Sequence, residues 1–194
     1  MQVAVLLKTL LFKNISSLAV IQMVNSFLPL IIIPYLLRIV GFENFGLISF
    51  ATAIAAYFTI VVDNGFTVSG TRYVAKNKSN IKALNTYFSS VMSIKLCFTV
   101  LGFLILVLLR LTFPDIFTQF SIFLFAFLIV IGNFLFPIWV FQGYEKMFYL
   151  AVINTISRAI YVVLIFTFIK VEEDYKFVTL INGISYLSLI HISE

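Results

Sequence analysis

Charged side chains are scarce in this chain. Only 11% of its 194 residues are Asp, Glu, Lys or Arg, against roughly 25% in a soluble domain. That is too little to wet a globular surface, so a water-soluble fold is excluded for most of the sequence. Cysteine occurs once, at Cys97, which excludes an internal disulfide and a Cys-based metal site. Histidine also occurs once, at His191. The sequence contains no P-loop, no HExxH, no nucleophile elbow and no CxxC. No pair of acids sits at catalytic spacing inside an apolar run. An enzyme is therefore not expected, and neither is a cofactor or metal. The net charge of +5 does not point to nucleic acid, because the basic residues sit at the ends of apolar runs.

Apolar residues make up 62% of the chain, with 23 phenylalanines and 9 tyrosines, and the mean hydropathy is +1.11. A membrane-spanning helix needs ~20 mainly apolar residues. Five full candidates are expected: Ile15–Leu37, Phe45–Val62, Tyr87–Leu109, Phe117–Val140 and Met147–Ile169. A sixth begins near Phe177. The fold class expected is all-α, a polytopic membrane helix bundle of about six transmembrane helices. Residues before Asn14 suit the membrane interface. They are not expected to form a cleavable signal peptide, since the apolar run after Asn14 is too long and has no small-residue cleavage site.

The connections alternate in charge. Lys8, Lys13, Arg72, Lys76, Lys78, Lys82 and Lys146 fall on one side of the spans. Arg38, Arg110, Lys170 and Lys176 fall on the other. Positive residues favour the cytoplasm, so the N-terminus is expected there.

Polar residues inside spans are costly in lipid unless they face protein or a water-filled cavity. Gln22, Asn25 and Pro29 share a helical face in the first span. Pro29 and Pro34 each remove a backbone donor and are expected to soften that helix. Ser49, Thr52, Ala56, Thr59 and Asp63 form a stripe along the second span, which suits either close helix packing or a cavity wall. Asp63 opens an Asp-Asn-Gly turn signal. It is expected to pair with Arg72, cap a helix or bind a coupling ion. Lys95 and Arg158 each cost ~2.5–3.5 kcal/mol at a helix centre. Lys95 either snorkels or faces a cavity. Arg158 shares a face with Asn154 and Tyr161, which points to a cavity or to a structural ion pair. A cavity with cations and few acids would favour an anionic substrate, and arginine's planar fork suits phosphate.

Four stretches carry a family resemblance. They are Asn25–Gly46, with LPLIIIPYLLRIVGFENFG; Leu47–Tyr57, LISFATAIAAY; Val62–Arg72, VDNGFTVSGTR; and Pro137–Met147, PIWVFQGYEKM. In this order and spacing the chain resembles the polysaccharide flippases of the Wzx type, within the multidrug/oligosaccharidyl-lipid/polysaccharide exporter superfamily. The resemblance implies a bacterial cytoplasmic (inner) membrane protein of two six-helix lobes. It implies transport of undecaprenyl-pyrophosphate-linked oligosaccharide by alternating access coupled to an ion gradient. The partners implied are that anionic lipid-linked oligosaccharide, membrane lipids, a missing C-terminal lobe and polysaccharide polymerase machinery. Substrate contacts are expected from Arg158, Lys95, Arg72, Arg38, Asn25 and Asn154, with Asp63 as the ion-coupling candidate. Of these, Arg38, Asp63 and Arg72 lie in matching motifs; Lys95 and Arg158 rest on the membrane-charge argument. The alternatives are a drug or metabolite antiporter of the same superfamily, or an inactive truncated membrane fragment.

The last stretch, Leu187–Glu194, reads LSLIHISE. It resembles a translated transposase adapter; an ordinary helix end is the alternative. The expected organisation is a transmembrane lobe over residues 1–186 and a non-native tail over residues 187–194, so His191 carries no functional expectation.

Overall fold

Backbone polar groups cannot be left unpaired in lipid, so each long apolar run must satisfy its own hydrogen bonds as a helix. The computed structural model follows this rule over the residues it describes: the backbone of residues 2–193 and the side chains of residues 26–188. The described residues form α1 (Gln2–Asp63), α2 (Phe66–Lys76), α3 (Ile81–Thr112), α4 (Phe120–Leu135), α5 (Ile138–Gly143), α6 (Met147–Phe168) and α7 (Tyr175–Ser193). A 3-10 turn, Glu172–Asp174, precedes α7, and no strand occurs among the described residues. The fold is an all-α membrane helix bundle.

Among the described residues four helical stretches are long and apolar enough to cross a membrane: Ser26–Lys76, Ile81–Thr112, Phe120–Gly143 and Met147–Phe168. The first takes in the end of one expected span and the whole of the next, separated at Gly41, the one residue inside α1 with non-helical backbone angles. The expected loop over residues 38–44 is thus a one-residue break. Gly41 takes φ 78° and ψ 168°, a conformation open to glycine and strained for other residues. Asn44 Nδ2 donates to the freed Val40 carbonyl at 3.0 Å and to Glu172 Oε1 at 3.1 Å, which seals the joint. The helix runs without interruption through Pro29 and Pro34, so the break falls at the glycine and not at the prolines. α7 occupies the place of the sixth expected span and starts two residues earlier than expected.

The connections gather at two ends. Tyr35 Oη donates to the Ile169 carbonyl at 2.6 Å, and Tyr175 Oη donates to Gln119 Oε1, so three connections meet at the Gly41 end. At the other end Lys78 Nζ lies 2.8 Å from Glu145 Oε1. Asn64 and Gly65, both left-handed, turn the chain from α1 into α2, as the Asp-Asn-Gly signal requires.

The main core joins Ile32, Leu36 and Val40 from the first arm of α1 to Ile48, Ala51 and Ala55 from its second arm. Phe123 and Ala126 of α4, Ile165 of α6, and Val178 and Ile181 of α7 complete it. α7 packs against α4, α6 and α1. It reaches α4 through two glycines. A Cβ on Gly183 would lie 2.5 Å from Leu128 Cβ, and one on Gly132 would lie 2.8 Å from Tyr186 Cβ. A smaller cluster of Val74, Val91 and Trp139 ties α2, α3 and α5 together. Leu96, Val100, Leu104, Leu108 and Leu111 run exposed along α3, the arrangement expected of a lipid-facing stripe.

The turn into α7 is held electrostatically. Asp174 Oδ2 accepts from the backbone N–H groups of Lys170 at 2.8 Å and Val171 at 3.0 Å. These bonds favour the carboxylate and lower its pKa below the ordinary 3.8. A depressed carboxylate stabilises the fold fully above its unfolded value and loses that contribution as pH falls through the lower folded value. Amide exchange at Lys170 and Val171 is therefore expected to accelerate, beyond its intrinsic pH dependence, only below the ordinary aspartate value. Asp174→Asn should show the faster exchange at neutral pH; unchanged protection in that variant would rule the clamp out.

The expected tail, residues 187–194, lies mostly outside the described side chains, as do His191, Gln22 and Asn25.

Candidate functional site

A cavity of about 620 Å³ opens between the two arms of α1, α6 and α7. Gly41 creates it, since folding α1 back on itself sets two arms side by side. Leu28, Pro29, Ile32 and Leu36 give the first arm's wall an apolar character. The second arm contributes Ser49, Thr52 and Ala56 from the small-residue stripe. Thr52 Oγ1 is turned back to the Ile48 carbonyl at 2.7 Å, so this wall is slim and presents little free polarity.

Polar groups come from the opposite side. α6 lines the cavity with Asn154, Ser157, Arg158 and Tyr161, on one face at three- and four-residue spacing. α7 adds Asn182, Ser185 and Tyr186. Ser157 Oγ donates to the Ser185 carbonyl, which fixes α6 against α7 behind the polar wall. Arg158 is the one charged side chain lining the cavity, and no acid lines it, among the described residues. The site thus combines an apolar wall, amide and hydroxyl groups, and a guanidinium. That chemistry suits a ligand with an apolar chain, a hydroxyl-rich part and an anionic group.

The sequence-selected residues divide into groups. Asn154 and Arg158 meet in this cavity. Lys95 and Asp63 meet elsewhere, in a separate space of about 90 Å³ also lined by Thr59, Thr67 and Asn133. Lys95 does not snorkel: it is buried, and its Nζ lies 2.9 Å from Asp63 Oδ1. Asp63 also accepts from Thr67 Oγ1 at 2.8 Å at the start of α2, so it both pairs and caps, with Lys95 and not Arg72 as the partner. Arg38 and Arg72 are exposed and line neither space. The side chain of Asn25 lies outside the described residues. Asn182 and Ser185 were not selected from the sequence; their three-residue spacing was the available signal.

Among the described residues no cluster of His, Cys, Asp or Glu could hold a metal ion.

Known proteins give two consistent likenesses. One relative, from Escherichia coli (strain K12), is named as a candidate O-antigen transporter and is 33% identical over 168 residues, 86% of this chain. Another of the same name, from Shigella dysenteriae, is 28% identical over 162 residues, 84% of this chain. The chain spans 40% of the length of each. No solved structure gives a significant match. The family described as "Polysaccharide biosynthesis protein" matches residues 11–193, nearly the full length. The chain therefore belongs to the polysaccharide biosynthesis protein family, to which its sequence motifs pointed.

Proposed function

We propose that this chain supplies one lobe of a transporter that moves an anionic lipid-linked oligosaccharide across the bacterial cytoplasmic membrane. The observation that carries the reading is Arg158, the one charged side chain among the described residues lining a cavity walled by apolar residues on one side and amides on the other. Arginine's donor fork binds a phosphate or pyrophosphate. Asn154 and Asn182 offer donors and acceptors to sugar hydroxyls. The apolar arm of α1 accepts the start of a lipid chain.

The relatives' names support a transporter and not an enzyme. The opposing lobe would come from the remainder of the protein, and the two would alternate in exposing the cavity to either side. The bias of positive charge supports a cytoplasmic N-terminus, which would put Arg72 at the entry end and Arg38 at the exit end. At the outer face the product would pass to polysaccharide polymerase machinery. A cation-exporting antiporter is disfavoured because Asp63, the acid it would use, is engaged by Lys95 outside the cavity.

The full-length protein is expected to restore surface polysaccharide to a strain lacking its O-antigen transporter. Normal membrane insertion without any restoration would refute the substrate class.

A further inference from the structure

The turn between α1 and α2 holds an ionic site that the large cavity does not use. We propose that Lys95 and Asp63 form a protonation-controlled latch, which fixes a movable α2–α5 unit against the rest of the bundle.

α2 and α5 are built to move as one body. A Cβ on Gly70 would lie 2.8 Å from the Trp139 ring, and one on Gly143 would lie 2.5 Å from Val74 Cβ, so the two helices dock at backbone distance. Thr71 Oγ1 donates to Gln142 Oε1 at 3.0 Å across the same interface. The unit joins the bundle at two non-helical points. One is Asn64 and Gly65, with φ of 42° and 78°. The other is Phe136 and Pro137, with ψ of 103° and 74°. Both joints border the same 90 Å³ space, which Asp63 and Thr67 line from one joint, and Phe136 and Ile138 from the other. Its lining mixes polar and apolar side chains, and its volume is enough for a few water molecules.

One carboxylate closes the latch. Asp63, at the end of α1, accepts from Lys95 of α3 and from Thr67 of α2. Lys95 is 4% exposed, whereas the Asp63 side chain is 31% exposed. The acid is therefore the member of the pair that solvent reaches. Among the described residues no other titratable group lines the space: α1 adds Thr59, α2 adds Thr67, α4 adds Asn133 and α5 adds Ile138. When Asp63 takes a proton from solvent it becomes neutral, and the buried ammonium loses its counter-charge. Lys95 must then draw in water or turn to the side-chain oxygens of Thr59 and Asn133. Either change loosens the tie among three helices, and the proton returns to solvent as pH rises. The latch is closed above the carboxylate's titration and opens as pH falls through it.

The test uses the chain in lipid nanodiscs, with spin labels on Val68→Cys and Leu111→Cys in a Cys97→Ser background. Both label sites are exposed. Going from neutral pH to about pH 2.5, well below the ordinary carboxylate range, the distance distribution should gain a second population. The Asp63→Asn variant should show that population at neutral pH. The double variant Asp63→Asn with Lys95→Met should not respond to pH. An unchanged wild-type distribution would overturn the latch, as would a double variant that shifts like the wild type or an Asp63→Asn variant that keeps the neutral-pH distribution. Where a variant does not fold, the wild-type comparison still decides. None of these readouts depends on the substrate.

Discussion

Gly183→Val is expected to unfold the lobe. The substituted side chain would begin 2.5 Å from Leu128 Cβ and 3.1 Å from the Phe125 carbonyl oxygen, where no flexible end can give way. Small residues at helix crossings let backbones approach in lipid, and a branched side chain forces them apart. Overpacking of a tight interior costs ~1–3 kcal/mol and occasionally more. The upper end applies here because α7 carries Val178, Thr179 and Ile181 into the core and the polar wall into the cavity. Thermal unfolding in detergent should show the variant melting well below the wild type or not folding. Gly46→Ala is the control: nothing lies within 4 Å of its added Cβ, so it should fold normally. Equal melting of the Gly183 variant and wild type would show that α4 and α7 do not cross as described.

Arg158→Ala should preserve the fold and cut transport by the full-length protein. Arg158 is exposed and lines the cavity, so its truncation takes no side chain out of the hydrophobic core. A hydrogen bond to a charged group contributes ~1.5–3 kcal/mol, which corresponds to about a tenfold to hundredfold loss in substrate affinity. Arg158→Lys keeps the charge but loses the planar fork, so it should fall between alanine and wild type. Transport by the alanine variant at the wild-type rate, measured with equal amounts of inserted protein, would remove Arg158 from the substrate path.

Much of the bundle is legible in the sequence because apolar length and the positions of charges encode it directly. Asn154, Arg158 and Tyr161 are legible as a site because helical phase brings them onto one face without knowledge of any other helix. Lys95 is different. Its partner lies 32 residues away on another helix, and helical phase within α3 cannot tell pairing from snorkelling. The break in α1 hides for a similar reason. Pro29 and Pro34 are the obvious local signals, yet the helix repairs both, and one glycine held by a contact from Asn44 to Glu172 makes the turn. α7's share of the cavity, Asn182 and Ser185, is signalled by three-residue spacing alone, too common in apolar helices to single it out.

The central claim is that the cavity selects an anionic, lipid-linked sugar. Its most direct test is translocation by the reconstituted full-length protein of two fluorescent polyprenyl-linked oligosaccharides with the same lipid and sugar. One carries pyrophosphate and the other a neutral linker. The pyrophosphate form should cross at least about tenfold faster, a difference of ~1.4 kcal/mol, and Arg158→Ala should remove that preference. Equal rates for the two lipids in the wild-type protein would contradict the account.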